Sequence, residues 1–340
     1  MELLKQLANL LGPSGAEQEV RSLIQKEIKK YVDEVRVDKF GNLIAHKKGK
    51  GARVMLAAHM DEIGLMCSNI EDDGKIKISA VGGIDPVTLV GQQVYLLLDN
   101  GKIINGVISF FEIHEGLEID EMPLQDDLYV DTGLDKDALE KLGVATGTYI
   151  VPRHTFITLG NKDIVSGKAF DDRIGCYALI ELAKRLKNIT KEDMYYVFTV
   201  QEEVGLYGSE TAVYDIDPDW GIAVDNTVAT DSGDPKKICL GKGPCVTIMD
   251  AGMIANRCLN GHIAAVAKKN KIPLQKEVVE AGTTDATKIM MSRGGVPSAV
   301  LGIPLRNMHS TISVAHIRDI ENLIKLLELL MKNPPKVCIV

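Results

Sequence analysis

The spacing of apolar residues changes twice along the chain. Near the start, Val20, Leu23, Ile24 and Ile28 recur at helical spacing. Ser14-Gly-Ala-Glu17 ahead of them predicts a capping box, with the Ser14 hydroxyl accepting from the first turn and Glu17 reaching back. Val35, Val37 and Phe40 alternate as a strand, Gly41-Asn42 makes a turn, and Leu43 to His46 return. Val54 to Ala58 is a continuous apolar run, the pattern of a strand buried on both faces. From about Ile63 to Thr158 short alternating runs are cut by turn residues at Asp72-Asp-Gly74, Gly82-Gly83 and Asp99-Asn-Gly101. The runs Val94 to Leu98 and Lys102 to Ile108 flank an Asn-Gly, a strong hairpin signal. This stretch reads as a small all-β unit, a barrel, whose one expected helix lies at Lys136 to Leu142.

After Asn161 strands and helices alternate. Helices are predicted at Cys176 to Leu186, Ile263 to Lys269 and Ile320 to Met331, and strands at Tyr195 to Val200, Trp220 to Val224 and Pro297 to Gly302. That rhythm implies an α/β fold, a mixed sheet with helices on both faces, into which the small β-barrel is inserted. The expected division is residues 1–64 and 161–340 for the α/β domain and 65–160 for the insertion.

The composition narrows the possible functions. The 340 residues suggest two domains at about 150 residues each. The net charge of −8 argues against general nucleic-acid binding, which needs a basic face. No apolar run approaches the ~20 residues of a membrane span. The amphipathic N-terminus carries Glu2 and does not read as a signal peptide, so a cytoplasmic protein is expected. The six cysteines, Cys67, Cys176, Cys239, Cys245, Cys258 and Cys338, show no C-x-x-C spacing. They are expected to be reduced, which disfavours a thiolate zinc site.

Polar residues that end apolar strands carry the chemistry, because ligands of open α/β sheets sit at the carboxyl ends of strands. Val54 to Ala58 runs into His59-Met-Asp61-Glu62. Ala169-Phe-Asp171-Asp172-Arg173 precedes a helix. Tyr195 to Val200 ends in Gln201-Glu202-Glu203, Val224 in Asp225-Asn226, and the last strand leads to His309-Ser310. Adjacent glutamates point different ways, so one can bind a metal while the other faces water. Each feature alone is weak. Together they supply two histidines, two aspartates and a glutamate, with one glutamate to spare. Hard oxygen and imidazole donors suit zinc, cobalt or manganese. Five ligands exceed what one catalytic zinc needs and fit two metals sharing a carboxylate.

These residues in this order resemble a metallo-aminopeptidase of the M42 family, the tetrahedral or TET aminopeptidases, which some sequences carry under an endoglucanase label. The resemblance covers nearly the whole chain. It rests on Ala57-Ala-His-Met-Asp-Glu-Ile-Gly64, Lys168-Ala-Phe-Asp-Asp-Arg173, Thr199-Val-Gln-Glu-Glu-Val-Gly205, Val224-Asp225 and Gly282-Thr-Thr-Asp-Ala286. It implies two divalent ions, zinc or cobalt, with Asp171 bridging. His59 and Asp225 would complete one site, and Glu203 and His309 the other. Glu202 would be the general base, and Asp61 would orient His59. It also implies that the insertion pairs subunits into homodimers, and that dimers build a hollow homododecamer. Two blocks depart from the pattern. His309-Ser-Thr-Ile-Ser313 stands where His-Ser-Pro-x-Glu is usual, and Thr283 where a second glycine is common.

The function implied is release of N-terminal residues from short peptides, with neither nucleic acid nor membrane as partner. An N-acyl amino acid deacylase using the same site and a non-enzymatic assembly protein are the alternatives. No acid pair at glycosidase spacing supports a glucanase. Gly241-Lys-Gly-Pro-Cys245 lacks phosphate-loop spacing. Asp231-Ser-Gly-Asp234 reads as a turn. His114, His154, His262 and His316 read as core or surface residues without evident partners, and His46 as exposed. Thr284-Asp285 is expected to cap the following helix.

Overall fold

The computed structural model describes residues 1–110, 122–188, 191–232 and 237–336, so His114, Asp234 and Cys338 lie outside the described residues. Helices α1 (Glu2–Asn9) and α2 (Gln18–Ile28) precede strands β1 (Glu34–Val37), β2 (Leu43–Lys47) and β3 (Arg53–His59). Next come β4 (Gly64–Ile70), β5 (Ile76–Val81), β6 (Gln93–Leu97), β7 (Ile103–Ser109), β8 (Tyr129–Asp131), α3 (Lys136–Leu142) and β9 (Tyr149–Pro152). Strands β10 (Ile157–Thr158) and β11 (Ile164–Gly167) lead to α4 (Phe170–Leu186), β12 (Asp193–Thr199), α5 (Tyr207–Ile216) and β13 (Trp220–Val228). The chain continues through β14 (Cys245–Met249), α6 (Arg257–Lys269), β15 (Gln275–Val278), α7 (Asp285–Met291), β16 (Ser298–Leu305), β17 (Ser313–His316) and α8 (Ile317–Lys332).

The main sheet has eight strands in the order β1-β2-β12-β3-β13-β16-β14-β15. Its centre, β12-β3-β13-β16, is parallel, and β2 and β14 join it antiparallel, so the sheet is mixed as expected. Burial on both faces explains the continuous apolar run of β3. Val54, Leu56 and Ala58 pack into the core beneath α1, α2, α4 and α8, while Met55 and Ala57 face the cluster shared with α5 and α7. Strands β4 to β9 close into an antiparallel barrel in the order β4-β5-β8-β7-β6-β9. Its core holds Leu65, Ile78, Val94, Leu96 and Ile150, and Leu139 of α3 packs into it. A third sheet has three strands, β10-β11-β17. No helix among the described residues is long and apolar enough to cross a membrane.

Several local expectations fail for tertiary reasons. The Ser14–Glu17 capping box does not form, and α2 has no side-chain cap. Ser14 instead donates to Asp61 Oδ2 at 2.6 Å, and Glu17 Oε1 accepts from Gly15 N at 2.7 Å. Strand β1 ends before Phe40, because Asp38 Oδ1 gathers the N–H groups of Phe40, Gly41 and Asn42 into a turn. Cys258 is disulfide-bonded, against the expectation of reduced thiols throughout, whereas Cys67, Cys176, Cys239 and Cys245 are free. The sequence pattern does not single out strands β14 and β15, of five and four residues, or helix α5.

A buried ion triad ties the N-terminal segment to the end of β3. Lys168 Nζ lies 2.6 Å from both Glu62 oxygens, and Arg173 Nη2 lies 3.4 Å from Oε1. The two cations also donate to carbonyls of the segment entering α2: Lys168 to Leu10 at 2.8 Å, and Arg173 to Leu7 at 2.7 Å and Gly12 at 3.3 Å. Burial pulls the Lys168 ammonium down to about 8 despite Glu62. Glu62→Gln leaves two buried cations without a counter-charge. It should lower the unfolding free energy by about 3–5 kcal/mol, read from denaturant midpoints at fixed protein concentration. A loss below about 1 kcal/mol would mean that the carbonyls alone hold the cations.

Candidate active site

The parallel strands deliver the site residues to one edge of the sheet. His59 is the last residue of β3, and Thr199 is its register partner on β12. Beyond Thr199 the chain passes through Gln201, at φ +53°, into Glu202 and Glu203. Asp225 lies on β13, paired with Gly302 of β16. His309 follows β16, itself at φ +57°, and Ala169 before α4 is at φ +53°. Non-glycine residues in this region cost about 1–2 kcal/mol each. Their clustering at one edge marks a constrained site. The first residues of α4, Asp171 and Asp172, are themselves non-helical and joined by a cis peptide.

The sequence-predicted residues converge. His59 Nε2 lies 3.1 Å from Asp171 Oδ1, 3.9 Å from Asp225 Oδ1 and 4.0 Å from Glu202 Oε2. His309 Nε2 lies 3.8 Å from Asp171 Oδ2, and its Nδ1 lies 3.9 Å from Glu203 Oε2. Asp171 thus stands between the two imidazoles. Each imidazole spends Nδ1 on a carbonyl, His59 on Asp61 at 3.1 Å and His309 on Gly83 at 2.7 Å. That turns Nε2 of each ring toward the carboxylates, where it is the nitrogen open to a metal. Asp61 therefore meets His59 most closely through its backbone, with its carboxylate at 3.5 Å. The carboxylate itself accepts from Ser14 and from the N–H groups of Glu202 at 3.1 Å and Glu203 at 3.2 Å, which sets the glutamate pair in place.

Electrostatics follow from burial and crowding. Burial, then the nearby Asp171, pushes Asp225 up to about 8. Burial raises Glu202 well above the carboxylate range, with Asp225, Asp285 and Glu203 adding to it. Burial and Asp171 do the same to Glu203. Asp171 is held low, because the His59 and His309 charges and Asn226 outweigh its burial. His59 is buried, which alone would lower it, yet Glu202, Asp171 and Asp61 raise it well above its ordinary value. Such a set holds more carboxylates than cationic groups and suits divalent cations. Two donor groups are compact enough to hold one: His59 with Asp171 and Glu203, and His59 with Asp172 and Asp225. The Asp172 oxygens, however, already accept from Gly175 N at 2.8 Å, Asn226 Nδ2 at 2.9 Å and His59 N at 3.3 Å.

Sequence reasoning missed the supports. Asn226 Nδ2 donates to Asp171 and Asp172, Glu17 holds the Gln201 N–H at 3.2 Å, and Gly83 of the barrel anchors His309. None has a local signal, since each partner is distant in sequence. Thr284 caps α7 as expected, but Asp285 turns inward and accepts from Thr199 Oγ1 at 2.6 Å. In the divergent blocks Thr283 donates to Asp250 at 3.1 Å, and the hydroxyls of Ser310 and Ser313 close the loop onto the Asn307 carbonyl.

The other described histidines have partners after all. His46 is half-buried, 2.7 Å from Asp193 and stacked on Tyr195. His154 meets Gln92, His262 the Asn333 carbonyl, and His316 caps α8. The Gly241 and Gly243 N–H groups go to Asp319, and Asp231 pairs with Arg306. Asp225→Asn removes one repelling buried carboxylate. It should raise the melting temperature of chelator-treated protein by several degrees. A fall would show that crowding of charge is not what strains this edge.

The whole arrangement has close parallels. The model of the M42 glutamyl aminopeptidase family matches residues 41–326. A lysyl aminopeptidase of Pyrococcus furiosus is 39% identical over 97% of this chain and 96% of its own. A TET aminopeptidase structure from a marine-sediment Thaumarchaeota archaeon matches with a TM-score of 0.94 and 36% identity, covering 98% of this chain and 97% of that one. The TET1 peptidase of Pyrococcus horikoshii, which assembles into a tetrahedron or an octahedral shell, matches with a TM-score of 0.87 and 35% identity, covering 97% and 98%.

Proposed function

The chain belongs to the M42 glutamyl aminopeptidase family, and we propose that it releases N-terminal residues from short peptides at a centre of two divalent cations, zinc or cobalt. Membership makes it an aminopeptidase; the cation pair and the preference for short peptides are our reading. The observation that carries it is the pair of imidazoles, each with Nδ1 spent on a carbonyl and Nε2 turned to the same carboxylate, Asp171. The donor set fits the cations: His59 and Asp225 would hold one, Glu203 and His309 the other, and Asp171 both. Asp172 is a weaker candidate, because its oxygens are already occupied.

When bound, two such cations supply Lewis acidity for attack on an amide at neutral pH. The remaining work belongs to the protein. Glu202 is buried beside the ligands, and that burial raises its carboxylate well above the usual range, which makes it a stronger base. It takes a proton from the attacking water. The water oxygen bonds to the scissile carbonyl carbon, the peptide C–N bond breaks, and Glu202 returns the proton to the leaving amine. Asp61 keeps the Glu202–Glu203 backbone in place throughout. The buried carboxylates also favour a substrate carrying a free α-ammonium, which an acylated or internal peptide lacks.

The test is a panel of free and N-acetylated short peptides with zinc- or cobalt-loaded protein. Stepwise release from free amino ends is expected, and Glu202→Gln should lower kcat about 10²–10⁴-fold while still binding metal. Cleavage of acetylated peptides alone would make the protein a deacylase, and unchanged turnover in the variant would remove Glu202 as the base.

We also read residues 65–160 as an inserted unit that pairs subunits, with dimers building a hollow tetrahedral dodecamer. Its support is apolar exposure beside the barrel, where Met122 is 74% and Leu124 68% exposed. Light scattering should find twelve subunits; a monomer would overturn this reading.

A further inference from the structure

The candidate centre opens into a cavity of about 1090 Å³, whose far wall is made by strands that contribute nothing to the chemistry. That wall contains a carboxylate without a counter-charge among the described residues. Glu277 of β15 is 8% exposed and lines the cavity. Its oxygens accept from two hydroxyls that line the same space, Thr227 of β13 and Thr247 of β14. Neither hydroxyl carries charge. The neighbouring Cys245 thiol is pushed up by its own burial and further by Glu277.

A second buried acid faces the same cavity. Asp250 is 7% exposed; one oxygen holds the Gly252 and Met253 N–H groups at 2.8 and 2.7 Å, and the other has no partner among the described residues. Among the described residues, the lysines lining the cavity, Lys237 and Lys276, are exposed. The inner wall is therefore negative. Leaving a buried carboxylate with hydroxyl partners alone costs more than pairing it with a cation.

The distance to the centre fits one particular guest. Thr227 lies two residues beyond Asp225 on the same face of β13, about 7 Å further along the strand. A substrate α-carbon held beside Asp225 would present its side chain toward Thr227 and Glu277. Ile238 and Val300, both buried, line the cavity and offer apolar surface to a methylene stem. The four-carbon stem of a lysine spans such a gap and ends in a compact ammonium, and an arginine reaches as far.

We propose that Glu277, braced by Thr227 and Thr247, is the specificity-determining residue of the pocket for the substrate's N-terminal side chain, and that the pocket selects basic residues. This rests on the aminopeptidase reading above and adds the substrate class. The related names do not decide it, since one is lysyl and the family's is glutamyl.

The experiment is a kcat/KM series on the p-nitroanilides of lysine, arginine, leucine and glutamate, using the full metal-loaded chain. Lysine and arginine should exceed leucine and glutamate. Glu277→Gln keeps the volume and an acceptor for the hydroxyls but removes the charge. It should lower the lysine-to-leucine ratio roughly 10–100-fold. Preference for leucine or glutamate in the unaltered protein overturns the inference without any variant. Equal loss for lysine and leucine in Glu277→Gln makes Glu277 a strut between strands and overturns it too. Hydrolysis of none of the four, with free peptides still trimmed, overturns the inference alone; no release from free peptides either removes the reading it rests on as well.

Discussion

Asp171, Asp172, Glu202, Glu203 and Asp225 crowd the edge of the parallel strands, and the only ion-pair partners they find among the described residues are His59 and His309. Taking a carboxylate out of water without a counter-charge costs several kcal/mol. The fold must hold five of them against that cost and against one another. It does so with rigid backbone. Central strands buried on both faces cannot shift, and their ends define where His59, Glu202 and Asp225 stand. Polar groups that bind no substrate then fix the loops: Asp61 under the glutamate pair, Glu17 under Gln201, and Asn226 under the two aspartates.

How much of this was legible in the sequence depends on range. The apolar run of β3 and the Asn-Gly hairpin of the barrel are local patterns, and they were read correctly in kind and near their ends. The site residues were legible as polar interruptions of apolar strands. Their convergence follows from the rule that crevices form at carboxyl strand ends. Ser14 and Glu17 show the opposite case. Their spacing matches a cap, yet a buried Asp61 and a strained Gln201 compete for them and win, because an unsatisfied buried group costs more than an uncapped helix. Gly83 could not be found at all. Its role depends on a barrel loop meeting a residue 226 positions later.

That last contact links the two architectural parts. The barrel's own loop supplies the acceptor for the His309 Nδ1–H. The close approach also explains Gly82 beside it. This residue is at φ +82°, and a Cβ there would stand 2.9 Å from Ile63 and 3.1 Å from Glu203. Any rearrangement of the barrel relative to the sheet would therefore disturb an imidazole of the centre. The barrel belongs to the geometry of the candidate site.

The sheet also separates two tasks. Strands β12, β3, β13 and the loop after β16 carry the groups proposed for chemistry, whereas β14 and β15 carry the cavity's outer wall. Strand β14 pairs with β16 at only two positions, so the outer strands are loosely tied to the centre. The hydroxyls of Thr227 and Thr247, meeting on Glu277, fasten that wall to β13 across the gap. A charge placed at this junction is felt by a guest in the cavity, yet it lies beyond the carboxylates that hold His59 and His309. Side chains on β14 and β15 can change without moving a ligand, and a fold built this way can vary what it accepts while keeping what it does to it.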